Sequence, residues 1–141
     1  MVSVFDAEGI RFKYPENWQL TREEGEDGWA VSVQSPDTAF LMVSLRTDMP
    51  TTDEVAETAL EALRESYPDL EADESVDSVA GQPALGHNIR FFSFDLTNSA
   101  WTRSFYSPNG TVLVLWQVND LELEKNEPIL RAICASLEID D

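Results

Sequence analysis

Turn signals divide this sequence into short segments in which apolar and polar residues alternate, and this pattern constrains the fold more than any other feature. In Gly9–Tyr14, the side chains of Ile10, Phe12 and Tyr14 fall on one face, and Trp29–Ser35 repeats the alternation. A period of two is the spacing of a β-strand with one buried face. Because short turns join most of these segments, we predict antiparallel hairpins.

Three further segments are apolar on both faces. Phe40–Arg46 and Thr111–Val118 have this property along most of their length, so we expect them to be central strands covered on both sides. In Leu85–Leu96 it is confined to the Phe91-Phe92 pair, which predicts a bulge or bend. The Asn109-Gly110 pair before Thr111 is a strong hairpin signal.

Two segments have the helical period. The first begins near Thr52, where Thr51 or Thr52 can cap it, and ends at Pro68. The second lies within Asp120–Leu137, where Pro128 fits only a first turn or a kink, which suggests that the helix starts near Asn126.

The order of these elements predicts the α+β class. We expect a central, largely antiparallel β-sheet of about six or more strands flanked by helices, an α/β/α sandwich, in a single domain spanning residues 1–141.

The chain is strongly acidic, with 27 acidic residues against 9 basic ones and a formal net charge of −18. This balance argues against nucleic acid as a partner, because phosphate binding needs clustered Lys and Arg. It also disfavours anionic membrane surfaces. Two interpretations stay open: the acidity selects a basic protein partner, or it is an adaptation of the whole surface to high salt.

Residues that could support catalysis or metal binding are few. His87 is the only histidine and shares the face of apolar neighbours, so we expect a core histidine. No second His or Cys is spaced to share a metal with it. Cys134, the only cysteine, lies on the apolar stripe of the last helix and is expected to be a buried small hydrophobe. We therefore predict no enzyme activity, no cofactor and no metal site.

Two sets of residues are candidates for binding. The outer face of the first helix carries Glu54, Glu57, Glu61 and Glu65 at spacings of three or four residues, which suggests a surface for a basic protein. Trp101 shares its strand face with Arg103 and is the tryptophan expected to be partly exposed. The alternative is therefore a small-ligand or lipid binder with an aromatic-lined cleft.

The N-terminal residues do not read as a signal peptide. The first residues lack the basic and apolar regions of a signal peptide, and no apolar run approaches the length of a membrane helix. These features predict either a cytoplasmic protein or one from which a leading segment has been removed, without membrane insertion in either case, and we expect a monomer.

One stretch resembles a known family. The run from Gly9 to Trp18 is similar to the "Gly-hydrophobic-x-Phe-x-x-Pro-x-x-Trp" opening of the PsbP-like superfamily, which includes the Ran-binding Mog proteins. The closing Ile133–Leu137 is similar to that family's final "hydrophobic-x-x-Ser-Leu". The resemblance implies a central antiparallel sheet between helices, and binding rather than catalysis.

Overall fold

A computed structural model describes residues 1–140, which form ten strands and two helices. In chain order the elements are β1 (Val2–Ala7), β2 (Ile10–Pro15), β3 (Gln19–Gly25), β4 (Gly28–Gln34), β5 (Phe40–Arg46), α1 (Thr52–Ser66), β6 (Glu71–Val79), β7 (Gln82–Ser93), β8 (Leu96–Ser107), β9 (Gly110–Asn119), α2 (Leu123–Ala135) and β10 (Glu138–Ile139).

Seven strands form the main sheet, in the order β3-β4-β5-β9-β8-β7-β6, and every neighbouring pair is antiparallel. The sheet is built from hairpins, and β5 pairs with β9 to join its two halves. The strands β3 and β6 are its edges. The predicted α+β class and central antiparallel sheet are therefore confirmed.

One face of the main sheet is covered by α2 and by a small second sheet, β1-β2-β10. Ile10 and Phe12 of β2 pack with Leu41 and Val114 of the main sheet and with Leu130 of α2, all of them buried. The sequence did not reveal β10, because a strand of two residues is too short to show a period. Its place beside β2 brings the end of α2 close to the first hairpin.

Helix α1 covers part of the other face. Thr51 caps it, since its hydroxyl oxygen accepts a bond from the Glu54 N–H at 3.1 Å, and the Tyr67 N–H closes its last turn. Below the helix, Leu60 packs on Ile89, and Tyr67 stacks on Phe91 at 4.1 Å between ring centroids. The helix lies over β7, β8 and β9, so β5 is only half covered on this face.

Three local predictions were wrong. The β7–β8 register runs continuously to the pair Ser93–Leu96 without a bulge, and Phe92 is 76% exposed, so the apolar Phe91-Phe92 pair marks a hairpin tip rather than a bend. The prediction that Phe40–Arg46 is covered on both sides is wrong for the face that α1 partly covers, because the β5 side chains on that face are only half-buried. Helix α2 starts at Leu123 and contains Pro128 in its interior, where the ring removes one helical bond.

Candidate binding cleft and acidic face

A cleft of about 650 Å³ opens between the C-terminal end of α2, strand β10 and the turn between β6 and β7. Trp116 forms part of its wall from the main sheet, and Arg131 and Cys134 face it from α2. Arg11 and Asp77 add charges of opposite sign. We call this feature the Trp116 cleft.

Two stacked tryptophans lie beside the cleft, and one of them, Trp116, lines it. Trp101 on β8 and Trp116 on β9 are direct cross-strand partners, and their rings stack at 5.9 Å with an angle of 16°. The Arg131 guanidinium lies 5.9 Å from the centre of the Trp101 ring and also bonds Glu127 at 2.8 Å. Trp101 is half-buried, as the sequence suggested. Trp116 is buried, and its indole N–H has no acceptor within residues 1–140.

Arg103, the other residue singled out beside Trp101, is buried and engaged by its neighbours. Its Nε donates to Asp77 at 2.9 Å, one terminal nitrogen donates to the carbonyls of His87 and Thr102, and the other donates to Asn88 at 2.8 Å. Arg103 therefore links β8 across β7 to β6 and fixes Asp77 at the edge of the cleft.

The cleft contains the only thiol of the protein. Cys134 is partly buried, and this burial, together with the charge of Asp77, raises the pKa of its thiol to about 11. The group is therefore protonated at neutral pH, whereas a nucleophilic cysteine must be a thiolate. The structure places Cys134 as a cleft-lining apolar group, in line with its position on the helix stripe.

A strongly acidic surface lies on the α1 side of the main sheet. Glu54, Glu57, Glu61 and Glu65 are all exposed, and Arg64 pairs with Glu61 at 3.1 Å. The neighbouring edge strand β6 adds the exposed Glu74, which is the strand partner of His87 on this side of the sheet, and we call this surface the acidic face.

His87 lies at the junction of α1 and β6, below the acidic face. It is only 5% exposed, and its Nε2 is 3.7 Å from a carboxylate oxygen of Glu57. Glu74 is its cross-strand partner, so three titratable groups meet where three elements meet. The sequence indicated a histidine beside the core but missed both carboxylates, because one comes from a helix 30 residues earlier.

Neither helix within residues 1–140 is both long and apolar enough to cross a bilayer.

Comparison with known proteins gives a match only at the level of structure. No protein-family model and no curated protein sequence matches the chain. The structure is similar to cyanobacterial PsbP (CyanoP) from Synechocystis, with a TM-score of 0.66, 12% identity and coverage of 98% of this chain and 92% of that one.

Two other solved structures are similar as well. One is a protein of unknown function from Pseudomonas aeruginosa, with a TM-score of 0.58, 14% identity and coverage of 99% and 98%. The other is LpqN, involved in cell envelope biogenesis of Mycobacterium tuberculosis, with a TM-score of 0.55, 13% identity and coverage of 100% and 91%. The resemblance seen at Gly9–Trp18 thus agrees with the three-dimensional comparison, and this chain has the PsbP-like fold.

Proposed function

We propose that this chain is a non-enzymatic binding domain and that the Trp116 cleft is its ligand site. The observation that carries the proposal is the stacked Trp101–Trp116 pair beside a cleft of about 650 Å³ with Arg131 at its wall. Ligand pockets typically have volumes of about 300–1,000 Å³ and combine apolar surface with a few polar groups.

The lining indicates the chemistry of the ligand. Trp116 and Leu137 offer apolar contact, while Arg131, whose side chain is 61% exposed, offers a positive charge. The indole N–H of Trp116 is buried and has no acceptor within residues 1–140, so a ligand oxygen could supply one only if the side chains around it move apart. These groups suit a small molecule with a planar or apolar part and at least one carboxylate or similar anionic group.

The test is a screen with carboxylate-bearing aromatic fragments, detected by ligand NMR and by tryptophan fluorescence. We expect at least one fragment to bind saturably, and Arg131→Gln to weaken its binding at least tenfold. Trp116→Phe keeps an aromatic ring, smaller than the indole, and should also weaken the binding. Arg64→Gln, an arginine on the opposite face of the sheet, is the control. If no fragment binds, or if Arg131→Gln binds every hit like the unmodified protein, the cleft is not the ligand site.

A second candidate function is docking of a basic protein on the acidic face. It is supported by the exposure of all four α1 glutamates and by the exposed Glu74 of β6 on the same side of the sheet. Clustered charge of one sign accelerates association with an oppositely charged partner and makes binding sensitive to salt.

Charge reversal tests the docking surface. A variant with Glu54, Glu61 and Glu65 replaced by Lys should lose a partner that is retained from lysate at low salt and released at high salt. The control reverses Glu16, Glu23 and Glu26, which are exposed on the part of the chain before β5. Equal retention by both variants would remove the acidic face as a docking surface.

A further inference from the structure

A cluster of His87, Glu57 and Glu74 lies on the face of the sheet opposite the Trp116 cleft. One ligand atom from each residue can be chosen so that all three lie within 4.8 Å of one another. Each comes from a different element: Glu57 from α1, Glu74 from the edge strand β6 and His87 from β7. The sheet register holds Glu74 directly opposite His87, so two of the three are fixed neighbours.

The burial of the His87 ring and the lack of a hydrogen-bond partner for its Nδ1 distinguish this cluster from an ordinary group of surface acids. The side chain is 7% exposed, and its Nδ1 is buried with no hydrogen-bond partner within residues 1–140. Buried polar groups normally have a partner. Its Nε2 points toward Glu57, but the 3.7 Å between Nε2 and the carboxylate oxygen is too long for a hydrogen bond.

That separation is close to the distance between two ligands of one metal ion. Zinc bonds to nitrogen and oxygen are about 2.0–2.2 Å, so two tetrahedral ligands lie roughly 3.4 Å apart. The three ligand atoms already lie within 4.8 Å of one another, and Glu57 and Glu74 are both exposed, so their side chains are free to move the remaining distance.

A pocket of about 140 Å³ adjoins the three groups and is also lined by Asp53. It has room for an ion together with water molecules, since one water occupies about 30 Å³ of liquid volume. Three protein ligands with water in the remaining positions is a common arrangement for a transition metal.

We propose that His87, Glu57 and Glu74 bind one first-row divalent cation of the Zn²⁺ class, with water completing the coordination. The imidazole sets the class, because nitrogen ligands favour Zn²⁺, Co²⁺ or Ni²⁺, while Ca²⁺ and Mg²⁺ prefer all-oxygen sites. The inference does not depend on the Trp116 cleft, which lies across the sheet and shares no residue with this cluster.

The experiment must separate this site from the loose cation binding expected of a chain with a net charge of −18. ZnCl₂ is titrated by calorimetry into chelator-treated protein in 0.15 M salt. We expect one saturable equivalent whose affinity falls at least tenfold in His87→Gln, Glu57→Gln and Glu74→Gln. Glu61→Gln is the matched control, because it removes the same charge from α1 one turn further along, and it should bind as the unmodified protein does.

Because His87 is the only histidine, its ring signals in an NMR spectrum are unambiguous and provide a second readout. They should shift with the first equivalent of Zn²⁺ and stay shifted in a tenfold excess of Ca²⁺. Glu57 is exposed, so Glu57→Gln tests the site even if His87→Gln fails to fold. The proposal is overturned by unchanged His87 signals, by equal losses of affinity in Glu57→Gln and Glu61→Gln, or by displacement of Zn²⁺ by Ca²⁺.

Discussion

Glu122 shows how a single side chain joins distant parts of this chain. Its carboxylate accepts bonds from the backbone N–H and the hydroxyl of Thr38, and from the side-chain amides of Asn119 and Asn126 at 2.8 and 3.0 Å. Burial by itself disfavours the charged form, but the bonds from Thr38 and Asn126 outweigh it and lower the pKa of Glu122 below its ordinary value. The residue ties the loop before β5 to the start of α2.

Glu122→Gln should lower the free energy of unfolding by about 1.5–3 kcal/mol near pH 7, the usual contribution of hydrogen bonds to a charged group. A carboxyl with a lowered folded-state pKa stabilises the protein above its unfolded-state pKa, and this stabilisation is lost as the pH falls through the folded-state value. The unmodified protein should therefore lose more stability between pH 6 and pH 3 than the variant does.

Urea unfolding followed by tryptophan fluorescence measures both effects. Glu124→Gln, an exposed neighbour in the first turn of α2, is the control and should have a much smaller effect. Parallel pH profiles for the unmodified protein and Glu122→Gln would contradict this account of Glu122.

Gly86 is required by a close approach of two strands. A methyl group added at this position would lie 1.8 Å from the carbonyl oxygen of Thr102, an atom of the paired strand that cannot move alone. Gly86→Ala should therefore cost more than about 3 kcal/mol or prevent folding, since β7 and β8 would have to separate. Gly25→Ala, where the added group would meet nothing closer than 3.7 Å, should stay within about 1 kcal/mol. Equal unfolding midpoints for the two variants would contradict the prediction.

At the scale of elements, α1 depends on its first turn. The Thr51 hydroxyl satisfies the Glu54 N–H, and Asp53 and Glu54 place negative charge at the positive end of the helix dipole. Thr51→Ala should lower the free energy of unfolding by about 1 kcal/mol. Thr58→Ala, at an exposed position inside the same helix, should be neutral or slightly stabilising. Equal losses in the two variants, measured by urea unfolding, would show that the cap contributes nothing.

The elements that the sequence predicted well are those with local signals. Thr51 and Pro68 bound α1, and Asn109-Gly110 marks the β8–β9 hairpin, because each residue acts on its own backbone. The start of α2 was misplaced because Pro128 suggested that the helix begins only just before it. The helix in fact begins a turn earlier, where the Asn126 N–H bonds the Glu122 carbonyl at 2.8 Å. Tertiary contacts decided that boundary.

The candidate sites were less predictable than the elements, for the same reason. Trp101 and the four α1 glutamates could be singled out from strand and helix periods alone. The stacking of Trp101 on Trp116, and the meeting of Glu57 and Glu74 at His87, depend on sheet register and on how α1 crosses the sheet. No spacing along the chain contains that information.

At the scale of the whole molecule, repulsion among its carboxylates opposes compactness. Because the net charge is −18, any ion that screens this repulsion stabilises the folded state against unfolding. We expect the urea midpoint to rise as KCl increases from 0.05 to 1 M, because the screening length falls to about 3 Å at 1 M.

The shape of that rise tests one of the two interpretations of the acidity, adaptation of the whole surface to high salt. If only screening acts, the midpoint should level off near 1 M KCl. If the whole surface is adapted to high salt, it should continue to climb in multi-molar KCl. A midpoint that does not change from 0.05 M upward would contradict both the screening expected here and adaptation of the surface to high salt.

The placement of charge on the edge strands has a consequence for self-association. Both edges of the main sheet, β3 and β6, offer unpaired backbone groups to other molecules, and both carry exposed carboxylates, among them Glu23, Glu24, Asp73 and Asp77. Two such edges repel each other before their backbones can pair. Acid removes this protection, and fibrils that grow by strand addition should form near pH 3 from molecules that stay dispersed at pH 7.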